Sequence, residues 1–367
     1  MRSHLTLARW LGPWAAAGAR PEVRRETVPI EAQAAGDRPF DAWLYLPPRG
    51  RARGAYLMAP GLHYAGPADP RMDRFCAILA AAGIAVLAPF LPDYTALRID
   101  PRAERDLERA LAALLDHPAR PPGVRPGVFS ISFGSLLALR LATGPAAGDL
   151  GRLVLFGGYI DWADTIHFCL TGEIDGRVHG ARDPLNQAVV FMNLIGELPG
   201  APRDPAPLLA AWRRYVEATW GRQEMKVDGR HCTVARRIAA ELPTELRPLY
   251  LIGCGAEPGA LELVRAALAR ASARAAFLDP RPLLPRIACP VTLVHGMDDD
   301  VIPYVQSQRL AAALPPAARA RVHITGLYGH TGATGVRGLP ALGRELVTMT
   351  RILRAMVAGA GDIGASL

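Results

Sequence analysis

The sequence predicts an α/β architecture, a mostly parallel eight-stranded sheet with helices on both faces and a helical cap insertion. Three observations lead there. Short apolar runs closed by Gly or Pro recur along the chain, amphipathic helical patterns separate several of them, and the alternation then lapses over one long stretch. Near-continuous apolar strands that alternate with helices need cover on both faces, which is the signature of a parallel sheet. At 367 residues the chain exceeds the usual size of one compact domain, so one core carrying a large insertion fits its length.

The strand-like runs fall at 23–31, 41–46, 55–59, 84–88, 126–131, 152–157, 290–295 and 321–325. The first two, closely joined and partly polar, suit an antiparallel edge. Asp69 and Pro70 read as an N-cap and a first-turn proline. Met72, Phe75, Cys76 and Leu79 form one apolar face behind them, and Gly83 is the stop. Asp100 and Pro101 repeat the start signal ahead of a stripe of Leu107, Ala110, Leu111 and Leu114. Further helices are expected directly after Ser132, near Tyr304, and from about Pro340 to Ala358, the last turning Leu342, Leu346, Met349, Leu353 and Met356 inward. The expected organisation is an N-terminal extension at 1–22, a core at 23–161 and 289–358, a helical cap at 162–288 over the carboxyl ends of the strands, and a tail at 359–367.

Composition narrows the function. Half the residues are hydrophobic and 21% are charged, as in an ordinary globular enzyme. The net charge of +8 arises from scattered arginines, Lys226 being the only lysine, and no basic stripe with interleaved aromatics accompanies it, so a nucleic-acid partner is not expected. Five cysteines without a CxxC pair fit a reducing, cytoplasmic setting and no structural metal. His167, Cys169 and His179 lie near one another but lack finger spacing. Arg9, Gly12 and Pro13 break the first apolar stretch before it reaches signal-peptide form, and no run reaches the length of a membrane span.

Chemistry concentrates in three segments. Gly127-Val128-Phe129-Ser130-Ile131-Ser132-Phe133-Gly134-Ser135 runs a buried strand straight into a helix. Ser132 sits at the turn, where a strained elbow lifts a nucleophile above the sheet and needs small residues two positions to either side. Ser130 and Gly134 meet that need, although Ser130 stands where Gly-x-Ser-x-Gly has glycine. Pro290 to Pro303 is a buried strand, a glycine turn and then Asp298, Asp299 and Asp300. A carboxylate there suits the orientation of a histidine; spacing favours Asp299, and leaves Asp298 or Asp300 to cap the next helix. Arg321 to Gly332 is a short strand followed by a glycine-flanked loop that carries His330, a residue type able to take and return a proton near neutral pH. His323 lies inside that strand and His295 ends another.

In the order Ser132, Asp299, His330 the chain resembles the α/β-hydrolase superfamily, specifically its capped bacterial esterase-like members, over roughly residues 23–358. The resemblance implies a serine hydrolase for a small ester or acyl substrate, with Ser132 as nucleophile, His330 as general base, Asp299 as orienting acid, and no metal or organic cofactor. It implies an oxyanion hole made of the Phe133 N–H and a donor from Met58 to Tyr64, with Leu62 N–H preferred and His63 as the other option. Gly61 would mark a tight turn. Asp161 or Asp164, after the preceding strand, offers another acid. The same triad serves an acyltransferase, and the fold also accommodates non-catalytic ligand binding. Phe191, Met192, Leu208, Trp212, Tyr215 and Val216 suit either an acyl pocket or the cap's own core; Arg213 and Arg214 read as a solvated face, and Cys254 as packing.

Overall fold

The computed structural model describes residues 2–11, 18–178, 182–271, 276–326, 328–329, 332–333 and 339–361. Eight strands build its main sheet: β1 (Arg24–Ile30), β2 (Phe40–Leu46), β3 (Gly54–Ala59), β4 (Ile84–Pro89), β5 (Gly127–Ile131), β6 (Arg152–Phe156), β7 (Val291–Gly296) and β8 (Arg321–Thr325). Each apolar run read from the sequence is a strand, with ends that agree to within one residue. The spatial order is β1-β2-β4-β3-β5-β6-β7-β8. β2 pairs antiparallel with both β1 and β4, and every later pairing is parallel. β3, β4 and β7 are buried at every position, whereas β1 is exposed along most of its length, as an edge strand must be.

Alternation along the strands feeds two cores. Leu57, Leu87, Val128, Leu155 and Leu293 face one side, with α3 (Arg102–Asp116), α4 (Gly134–Leu141) and α11 (Val305–Ala313) packed on it through Leu107, Leu111, Leu137, Leu141 and Leu310. Tyr56, Met58, Val86, Phe129 and Val294 face the other, under α2 (Pro70–Ala81) and α12 (Leu339–Gly359), which contribute Cys76, Leu79, Met349, Leu353 and Met356. Side chains of this size each stabilise by about 1.5–3 kcal/mol when fully buried. The Asp69 start signal holds: its carboxylate accepts the N–H groups of Arg71 and Met72, and Gly83 ends the helix at φ +93°.

One helix has no counterpart in the sequence reading. α1 (Arg2–Leu11), within the stretch set aside as an extension, buries Leu7 completely against the α2 and α12 core. Arg74 donates to the carbonyls of Trp10 and Ala19, at 2.9 and 2.7 Å.

Between β6 and β7 lies the cap, with α5 (Trp162–Thr171), α6 (Gln187–Leu194), α7 (Ala206–Thr219), α8 (Arg230–Ala239), α9 (Arg247–Gly253) and α10 (Ala260–Arg270). It has its own core around Phe191, Leu208, Trp212, Tyr215, Val216 and Tyr250. Trp212 stacks on Tyr250 at 6.4 Å, meets Phe191 edge-on at 5.9 Å and donates its indole N–H to the Tyr250 carbonyl. These residues are therefore core and not pocket lining. Leu62, Phe133 and Val301, from the loops beyond β3, β5 and β7, pack against the cap, which places it over the carboxyl ends of the strands. Among the described residues, no helix is long and apolar enough to cross a membrane.

Candidate active site

Ser132 lies between the end of β5 and the start of α4 with φ +53°, in the left-handed region that a side chain with a Cβ avoids. Its N–H donates to the Phe156 carbonyl at 2.8 Å, and its own carbonyl accepts from Ser135 N–H at 2.9 Å, so strand and helix grip the turn from both ends. Such strain persists only where the surroundings over-determine it, and it clusters at functional positions. Gly134 shows how tight the elbow is. A Cβ placed there would stand 2.1 Å from the Ala59 carbonyl oxygen and 2.6 Å from that of Pro60. Only glycine lets α4 begin this close to the end of β3.

This combination of strand order, antiparallel edge, cap and elbow decides the architecture. The chain has the α/β-hydrolase fold. In that fold the loop after β3 reaches the elbow, and here Gly61 does so. A Cβ on Gly61 would be 3.1 Å from Ile131 O and 3.3 Å from Ser132 Cβ, while its φ lies outside the left-handed region. Close approach, and not a left-handed turn, explains this glycine. Among the described residues no acceptor takes the backbone N–H of Leu62 or of Phe133, and both residues line the same cavity as Ser132.

The His63 ring is engaged elsewhere. Its Nδ1 accepts from Ala65 N–H at 3.2 Å, which leaves the proton on Nε2, 3.1 Å from Asp69 Oδ2. The ring is also stacked on Tyr64. Burial lowers its pKa, against the pull of Asp69. The sequence flagged Asp69 only as a cap, yet it also receives His63 and the Arg71 guanidinium.

Asp299 is buried in the turn after β7. Its Oδ1 accepts the N–H groups of Val301 and Ile302, both at 2.9 Å, and Oδ2 is 3.3 Å from His295 Nε2. The capping duty expected of Asp298 or Asp300 falls to neither: α11 begins without a side-chain cap, and Asp300 pairs with Lys226 at 2.5 Å. Asp161 caps α5 through Asp164 N–H and pairs with Arg281, and Asp164 pairs with Arg309. His330 and His179 lie outside the described residues.

The cavity above Ser132 has a volume of about 130 Å³. Ile99, Phe133, Trp162, Ile166, Val189 and Trp220 give it an apolar wall. Three of its polar members are engaged: Asn193 bonds Ile99 N–H and the carbonyls of Leu97 and Val189, Thr165 bonds the Asp161 carbonyl, and Asp183 takes Lys226 at 2.8 Å. Lys226 thus bridges the cap residue Asp183 and Asp300 of the acid turn, whose carbonyl also accepts Asp183 N–H at 2.7 Å. Arg213 pairs with Glu217 and Arg214 with Glu241 on the cap's outer face, and Cys254 is fully buried with its thiol pKa raised by burial.

No protein-family model and no curated protein matches the sequence. Solved structures with partial likeness include the acylaminoacyl peptidase of Pyrococcus horikoshii, at 11% identity and a TM-score of 0.49 over 95% of this chain and 43% of that one. A puromycin-hydrolyzing peptidase of Mycobacterium tuberculosis shows 17% identity and a TM-score of 0.46, covering 93% of this chain and 39% of its own. An esterase of Pyrococcus furiosus shows 14% and 0.49, with 92% of each chain covered. The present chain thus spans less than half the length of the two peptidases.

Proposed function

We propose that this chain is a serine hydrolase that cleaves a carboxylic ester or related acyl bond through an acyl-enzyme. The observation that carries the reading is the left-handed φ of Ser132 at the floor of an apolar cavity, beside two backbone N–H groups without an acceptor among the described residues. His330 takes the Ser132 hydroxyl proton as Oγ attacks the carbonyl carbon, and the Leu62 and Phe133 N–H groups receive the oxyanion. Collapse breaks the bond to the leaving alcohol, which takes that proton from His330, and water repeats the sequence to release the acid. Asp299 holds the imidazole in the required tautomer. The roles of His330 and of the oxyanion pair rest on chain order and on family resemblance.

The cavity volume sets the acyl size. An apolar cavity of about 150 Å³ holds one benzene ring, so about 130 Å³ suits a short acyl chain or a single ring. The test is a series of p-nitrophenyl esters from acetate to octanoate, run with fluorophosphonate labelling on wild type and Ser132→Ala. Expected are preference for the short esters, labelling of the wild type, and loss of both signals in the variant. A folded Ser132→Ala protein with full activity ends the proposal.

A further inference from the structure

His295 has no part in the mechanism above, yet its ring is fully buried in contact with the proposed acid. It is the penultimate residue of β7, four residues before Asp299. Nε2 is 2.7 Å from the Ile302 carbonyl oxygen and 3.3 Å from Asp299 Oδ2. A carbonyl can only accept, so the proton resides on Nε2, shared between Ile302 O and the carboxylate. Nδ1 is 2.7 Å from Ser307 Oγ on α11, and that hydroxyl is 3.3 Å from the Gly158 carbonyl beyond β6. One hydroxyl hydrogen serves the shorter contact, so Ser307 donates to Nδ1 and fixes the tautomer. Asp299 is the charged side chain in contact with the ring among the described residues.

We infer that His295 is a positioning residue for Asp299. This rests on the proposed function. The two backbone N–H groups at Oδ1 hold one carboxylate oxygen but leave the carboxyl plane able to rotate about that anchor. The imidazole N–H at Oδ2 removes this freedom and aims the group for the catalytic histidine. Ser307 supports the aim from behind, and linked hydrogen bonds in a buried site hold their geometry better than any single bond. The sequence showed His295 as a strand-ending residue; the signal it offered was a polar ring near the end of a largely apolar strand, four residues ahead of Asp299.

The test compares two amides. Gln in place of His295 keeps a donor where Nε2 stands, whereas Asn keeps one only where Nδ1 stands. Expected for His295→Asn is a fall in kcat on the order of 10- to 100-fold, as supporting hydrogen-bond partners of site ligands show, with KM within about twofold. The acidic limb of the kcat/KM profile should also move down in pH, because the general base loses the support of an aligned carboxylate. His295→Gln should recover most of the rate and the limb. Equal loss in both variants, or an unmoved limb in His295→Asn, overturns the inference. If His295→Asn does not fold, Ser307→Ala takes its place, with a smaller fall in kcat and the same direction of limb shift expected, and an unchanged profile counting against. The ring ¹⁵N shifts of His295 in the wild type must also report a proton on Nε2; a proton on Nδ1 alone overturns the inference without reference to activity. A wild type that neither labels with fluorophosphonate nor turns over ester instead marks failure of the functional reading, and the positioning role falls with it.

Discussion

Replacing Ser132 by alanine and by glycine separates catalytic loss from backbone strain. Both variants lack the hydroxyl and should be inactive, but they differ in the Cβ that makes φ +53° unfavourable. A left-handed conformation costs an L-residue about 1–2 kcal/mol, while glycine in ordinary structure is about 0.5–1 kcal/mol less favourable than alanine. The strain dominates, so Ser132→Gly should exceed Ser132→Ala in stability by about 0.5–1 kcal/mol, the reverse of the usual ranking. An unfolding entropy of roughly 2.1 cal/mol/K per residue over 367 residues makes this a Tm gap of only about 1 °C. Urea titration with replicate midpoints is therefore the better assay. An alanine variant as stable as the glycine variant, or more so, would show that the elbow stores no strain and would undo the structural case for Ser132.

Gly134→Ala should cost about 3 kcal/mol or prevent folding, since its Cβ meets two backbone carbonyl oxygens that cannot rotate away; a urea midpoint near wild type would contradict this. Lys226→Met leaves Asp183 and Asp300 facing each other in a partly buried site and should destabilise by about 2–3 kcal/mol. Adding Asp183→Asn should restore at least half, and a double variant no better than the single one would show that charge is not the cause. Burial lowers the pKa of His63, His231 and His323, so the unfolded chain binds protons more readily than the folded one. Their contribution is complete above the ordinary value of 6.5 and is lost as pH falls through the lower folded values. Tm should therefore drop from pH 7 to 5, with a shallower slope in His63→Gln, whereas a Tm flat or rising over that interval would refute the sign.

The central strands β3 to β7 were legible because they are apolar at most positions, a pattern that needs no tertiary information. α2 was legible for a similar reason, since Asp69-Pro70 states where it begins. α1 was not: ten residues broken by Arg9 make a weak helix alone, and its burial of Leu7 depends on α12, more than 300 residues away in sequence. At the candidate site, the turns that hold Ser132 and Asp299 were legible because both are local backbone devices. Partners drawn from distant segments were invisible. Nothing near Lys226 points to both Asp183 and Asp300.

Lys226 carries the one ε-amine of the chain, and that amine is enclosed between two carboxylates where the cap meets the acid turn. Burial opposes its charge, but Asp183 and Asp300 outweigh burial and raise its pKa, so an acylating reagent finds little free amine while the contact is closed. The rate at which such a reagent marks this side chain then reports how often the cap parts from the turn. A single residue, read by mass spectrometry, becomes a clock for that opening without any engineered label.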